Sequence, residues 1–367
     1  MRLLAVLLGV FALPAWGDEP VARIAAGTAG RVTMITNDVA WPAGAHVVVE
    51  GALTVTGGST LTIGRGARVE FAHGAGIRID RNARVSMAGT PLEPIVLTCR
   101  DAAPVAGCWE GVTIAGWAPI NHGSETSPAA RGVGAAGCRE ATDVIGLYGG
   151  CDAADSSGVL RFVRIEHAFS GLRMLGVGRA SVVEQVQVHA ALGNGIEVTG
   201  GTVDLRQVVL TSNGQFGLSW RGGWIGRGQF IAIHADPRRF SGGMQGANGF
   251  DAVADDALPR SAPNLSHVTI LAESFASNPF VALPPKGVAL VRGTGGVLRN
   301  VVVTRAPVGL DLDDDATCGQ LVGGGLSLAG FVVAGALSAG DPDVDAVSCA
   351  PVGGSPGVEA AVLASSG

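Results

Sequence analysis

Three consecutive stretches, LRFVRIEHAFSGLRM (160–174), VEQVQVHAALGNGIEV (183–198) and LRQVVLTSNGQFGLSW (205–220), align on six positions. In the first stretch these are Leu160, Val163, Ile165, Gly171, Leu172 and Met174. In the second they are Val183, Val186, Val188, Gly195, Ile196 and Val198, and in the third Leu205, Val208, Leu210, Gly217, Leu218 and Trp220. Each column advances by 22 to 24 residues. The set returns at Leu265, Val268, Ile270, Gly287, Val288, Leu290, and again at Leu298, Val301, Val303, Gly309, Leu310, Leu312. A fixed period in this range marks a solenoid, in which each copy buries its apolar face on the next. Apolar and polar residues alternate inside each copy, so the units are strands. Strands that always wind the same way are parallel, and such crossovers are right-handed. The expected fold is all-β, a right-handed parallel β-helix with disulfide-stapled loops. A string of immunoglobulin-like sandwiches would need antiparallel hairpins at short regular spacing, which the pattern lacks.

Looser pairs precede the clear copies: Leu53/Val55, Leu61/Ile63, Val69/Phe71, Ile77/Ile79, Val85/Met87 and Ile95/Leu97. The coil is therefore expected over 47–350, with a cap over 18–46 protecting the first strand edge and a tail over 351–367. Residues 1–17 read as a secretory signal: Arg2, an apolar run from Leu3 to Leu13, and Ala15-Trp16-Gly17 as the cleavage site. That run is shorter than the ~20 apolar residues of a membrane span, and no later span is expected. The protein is therefore expected in the periplasm or outside the cell. The 57 glycines suit a fold with many tight corners. Net charge is −6 and basic residues form no run, which argues against nucleic acid as a partner. Six cysteines fit an oxidising compartment, and nearest-neighbour pairing gives Cys99–Cys108, Cys138–Cys151 and Cys318–Cys349. A cysteine metal site would need closer ligand spacing than these show.

Insertions interrupt the period at 98–110, 115–157, 234–248, 253–264 and 271–286. Three of them (98–110, 234–248 and 271–286) leave one corner of the coil, the other two the opposite corner. The strand resuming after 234–248 is expected at Gly249-Phe250. Long loops on a rigid scaffold are where function concentrates, although stapled decoration reads equally well.

Several strings resemble a family of secreted bacterial β-helix repeat proteins: GWAPIN (116–121), GLYGG (146–150), SGVLRFVRIE (157–166), GGWIGRGQF (222–230), PRSAP (259–263) and GLDLD (309–313). The resemblance implies this fold and export. It implies no chemistry, because members are largely uncharacterised secreted proteins or lipoproteins.

The outward residues hold the remaining candidates. Stacked turns lie ~4.8 Å apart, so Glu166 and His189 are placed to pair as acid and base. A solvated contact worth under ~1 kcal/mol is the plainer reading. His189 and His234 lie two turns apart, ~9.6 Å, too far to share a metal held at ~2.1 Å. A second outward column is expected to run Arg173, Glu197, Ser219, Asp251, Ala289 and Asp311. It puts Glu197 and Asp251 ~9.6 Å apart, near the ~6.5–9.5 Å used by inverting glycosidases. The resemblance implies an acid where this chain has Ser219, which weakens a catalytic stack. Trp109 and Trp117 are candidates for stacking on sugar rings, whereas Trp220 falls in an inward column. Asp311, Asp313 and Asp315 are dense enough to hold Ca²⁺, as are Asp251, Asp255 and Asp256, without the spacing of a known loop. No G-x-S-x-G, H-E-x-x-H or P-loop occurs. The expected role is a non-catalytic glycan-binding or envelope module with polysaccharide as partner. The rival is a polysaccharide lyase or glycoside hydrolase drawing on Glu197, Asp251, Arg173, Glu166 and His189.

Overall fold

The computed structural model describes residues 23–125, 138–143, 146–236, 242–250, 255–272, 286–306, 308–312 and 314–334. The chain winds as a right-handed parallel β-helix with three faces. In the first turns each face has its own strand. Val39–Trp41, Thr60–Ile63 and Arg84–Ala88 stack on the first face. Arg23–Ala26, His46–Val49, Arg68–Phe71 and Ile95–Cys99 stack on the second. The third face is a ten-stranded sheet beginning with Val32–Ile35 and ending with Val308–Leu312.

From Gly158–Glu166 onward the first two faces share one long strand. Its front half, Gly158–Arg161, pairs with Val85–Ala88, and its back half, Val163–Ile165, pairs with Ile95–Leu97. The bend between the halves is one residue at positive φ: Phe162 (49°), Gln185 (51°), Gln207 (53°), Phe230 (60°), His267 (56°), Asn300 (52°) and Gly330 (61°). One left-handed residue turns the strand without breaking its ladder.

The expected inward columns are the observed ones. Leu160, Val183 and Leu205 stack, as do Ile165, Val188 and Leu210, and all are buried. The turn 183–198 buries Val183, Val186, Val188, Ile196 and Val198. Full burial contributes about 1.5–3 kcal/mol per side chain, and a turn achieves it only by stacking on its neighbours. Trp220, fully buried in this core, needs special room. The next residue in its column is Gly246, where any Cβ would collide with the indole.

Two expectations about boundaries change. Residues 23–41, expected within a cap over 18–46, already form the first turn, paired in parallel to the second on all three faces. Inside the expected insertion 234–248, Gly242–Ala247 is a strand of the third face, with Leu218 beside Met244 and Ser219 beside Gln245. Near the C-terminus, helix α1 (Asp315–Val322) lies between the last strand of the third face and Leu326–Ala334. Its N-cap Asp314 accepts from the Thr317 amide, and Thr317 and Cys318 are buried.

Disulfides join Cys99 to Cys108 and Cys138 to Cys151. Cys349 lies outside the described residues, so the third pairing is not described. Among the described residues no helix is long and apolar enough to cross a membrane.

Candidate functional site

Both corners that carry insertions border the third face, one at its entry and one at its exit. The register assigns that face's outward column as Arg78, Thr113, Arg173, Glu197, Ser219, Gln245, Ala289 and Asp311. Gln245 therefore takes the place expected for Asp251, and the register gives no ground for the expected Glu197–Asp251 spacing. Asp251 itself lies outside the described residues. Gly249-Phe250 imitates the Gly-apolar start of a rung. The true rung, GGMQGA, carries one large apolar residue because Trp220 beneath it excludes another.

The column is polar but mostly covered: Arg78, Thr113, Glu197, Ser219 and Asp311 are buried. Part of the cover is the small antiparallel sheet Ser124–Glu125, Arg139–Asp143 and Gly146–Gly150, closed by Cys138–Cys151. Ion pairs dock it. Arg78 binds Asp80 at 2.6 Å and reaches Asp143 at 3.5 Å, while Arg173 reaches the other Asp143 oxygen at 3.5 Å. Arg81 binds Glu140 at 2.7 Å and the Gly149 carbonyl at 3.0 Å. Beneath the sheet, Tyr148 packs with Ala115, Ile120 and Leu175 in a small second core.

Glu197 sits at the centre. Arg221 Nη2 binds its Oε1 at 2.6 Å, and Arg173 Nε lies 3.9 Å from Oε2. Arg173 and Glu197, neighbours in the column, are thus in contact, but Arg221 holds the carboxylate more closely. The Arg221 guanidinium lies 4.3 Å from the centre of the Phe250 ring, and both side chains are about 40% exposed, at 40% and 41%. His122 packs on the same phenyl at 4.4 Å, and its Nε2 lies 2.7 Å from the Tyr148 hydroxyl. Burial, then the nearby charges of Arg221 and Arg139, push the imidazole down to about 4. Burial, then Asp143, pushes the Tyr148 phenol up to about 12. Both groups are neutral near pH 7. His122 Nδ1 is buried without a hydrogen-bond partner, against Gly222. A Cβ there would approach the ring to 3.1 Å, and φ is +72°, so glycine fits on both counts.

The other candidates disperse. Trp109 is core: it stacks on Phe71 at 3.9 Å and donates to the Glu166 carbonyl at 2.8 Å, which removes it as a ligand platform. Trp117 is half-buried under the Arg81 guanidinium at 3.9 Å, with its indole N–H on Asn82. Glu166 and His189 are neighbours in register, yet Arg164 takes the carboxylate at 2.6 Å and Thr211 meets the imidazole Nδ1 at 2.8 Å. Among the Ca²⁺ candidates, Asp311 is paired with Lys286 at 2.6 Å and Asp315 lies in the first turn of α1. Asp313 lies outside the described residues. Asp256 pairs with Arg260 at 2.7 Å. His73, Asp101 and Cys108 also cluster, but Cys108 is in a disulfide and has no thiolate to offer a metal.

Sequence reasoning missed His122, Asp143, Tyr148, Arg221 and Phe250. Their signal lay in the quoted strings: His122 follows GWAPIN, Tyr148 is the centre of GLYGG, and Arg221 precedes GGWIGRGQF. Only packing brings those strings together.

A family model described as a pectate-lyase-like β-helix domain matches residues 33–344. No curated protein and no solved structure shows significant similarity to the chain.

Proposed function

Because the chain belongs to the family of pectate-lyase-like β-helix domains, we propose that it binds an acidic polysaccharide on the third face without cleaving it. The observation that carries this reading is the state of the carboxylates. Glu197 is held by Arg221 and Arg173, and Asp143 by Arg78 and Arg173. Hydrolysis by paired carboxylates needs one acid protonated and a second free to act on water or sugar. A carboxylate held by guanidinium N–H donors has its oxygens occupied and is not placed to act on water or sugar. Arg221 is different: half-exposed on a half-exposed phenyl, it offers N–H donors to a sugar carboxylate beside an apolar surface for the ring. The two disulfides support export to an oxidising compartment.

A polysaccharide lyase is the second reading, favoured by the neutral His122 imidazole against the Tyr148 hydroxyl. The test is to incubate the purified chain with polygalacturonate and with neutral glycans, with and without Ca²⁺. Retention and chain shortening are read together. Retention of polygalacturonate without shortening, weakened by Arg221→Gln, is the expected result. Shortening that disappears in His122→Ala makes the protein a lyase; no retention at all ends the binding reading.

A further inference from the structure

Among the described residues, the outward columns of the C-terminal half of the second face carry no charge. Its middle outward column is Val209, Ala232, Thr269, Val302 and Val332, each exposed and each beside the next in register. The column at the left-handed bend is Gln207, Phe230, His267 and Asn300, also exposed. The third column is Thr211, His234, Leu271 and Thr304. No Lys, Arg, Asp or Glu occurs in these columns. The same columns in earlier turns hold Arg68, Glu70, Arg164 and Glu166.

Phe230 marks the band as more than bare sheet. Its left-handed φ is shared by the whole bend column, but it places a phenyl ring that is 46% exposed on an otherwise uncharged face. Its neighbour one rung on is His267, with ring centres 5.2 Å apart, and His267 in turn meets the Asn300 amide at 3.4 Å. A ladder of flat side chains therefore runs along the coil axis.

We propose that this band binds a single neutral polysaccharide chain lying along the axis. The absence of charge excludes recognition by ion pairing. The phenyl face suits the C–H face of a pyranose, and the flanking amides, imidazoles and hydroxyls suit its hydroxyl groups. The rung repeat of ~4.8 Å is close to the length of one sugar in an extended chain. Size separates this occupant from a second copy of the protein. Five rungs by five residues is roughly 400 Å², about half the ~800 Å² per partner of a stable protein interface.

The test is affinity electrophoresis of the full chain in gels containing soluble neutral β-glucan or glucomannan, with polygalacturonate as a separate arm. Retardation by a neutral glycan is expected, with the dissociation constant raised at least fivefold by Phe230→Ala, restored by Phe230→Tyr and unchanged by Arg221→Gln. No retardation by any neutral glycan, or retardation indifferent to Phe230→Ala, overturns the proposal. A dimer in solution that Phe230→Ala dissociates also overturns it, because the band then serves a second copy. The polygalacturonate arm reads the third face alone, so either site can fail without the other.

Discussion

The second and third faces are built from the same rungs and the same core, yet they present opposite surfaces. The third face is rich in charge and largely covered: Arg78 and Glu197 are buried, and a small sheet docks over the face through ion pairs to Arg78, Arg81 and Arg173. The C-terminal second face is uncharged and bare, with Val209, Thr269 and Val332 open to solvent. The difference follows from where the insertions leave the coil. A loop that folds back over a sheet brings its own polar groups, and these must find partners once water is excluded. Arg78 and Arg173 supply those partners for Asp143, while Glu197 pairs with Arg221 on the face itself. An exposed face has no such constraint, and its residues answer only to the ladder and to whatever docks there.

Substitutions should separate the two faces by size of effect. The largest is expected inside the core under the third face. Gly246→Val drives a side chain into Trp220, and a loss of about 3 kcal/mol or more is expected in urea unfolding. A variant as stable as the parent would show that the rung moves freely. Next, Glu197→Gln leaves Arg221 and Arg173 without their carboxylate, at an expected cost of about 2–3 kcal/mol by the same measurement. A loss under half a kcal/mol would mean that the pairs are solvated in solution.

Acid should loosen the third face by a similar or smaller amount. His122 titrates at about 4 when folded and near 6.5 when unfolded, so the unfolded chain takes up the proton first. No penalty exists above pH 6.5; stability falls as pH drops from there and the loss is complete below about 4. The expected loss, discounted for the partial exposure of the ring, is about 2 kcal/mol. His122→Gln should remove that part of the pH dependence, and an unchanged profile would assign it elsewhere. The smallest effect belongs to the bare face. Thr269→Lys should change stability by less than about 0.5 kcal/mol while abolishing retardation by neutral glycan. A large stability loss would mean that the band is covered after all.

The coil was readable in the chain because its signal is repeated. Leu160, Val183 and Leu205 fall on one period, and one inward column after another is confirmed by stacking. Two disulfides were readable from proximity in sequence, since short loops join the paired cysteines. Where repetition failed, so did the reading. The rung Gly242–Ala247 has almost no aliphatic signal, and Gly249-Phe250 imitates a rung start beside it, although the register puts Gln245 next to Ser219. Trp109, which lies within an insertion, read as surface. It enters the core instead, because the corner beside Phe71 leaves room for a stacked indole.

Local alternation and period by themselves determined the regular rungs, their order and the inward columns, because each such rung repeats the same short-range pattern against a nearest neighbour. The cluster of His122, Asp143, Tyr148, Glu197, Arg221 and Phe250 was decided only by the tertiary structure. Its members come from two loops and two rungs that no period relates. Docking a loop over a sheet is a one-time event set by shape and by charge pairing. The bare band on the second face is intermediate: its residues were visible in the sequence, but their exposure depended on where every loop went.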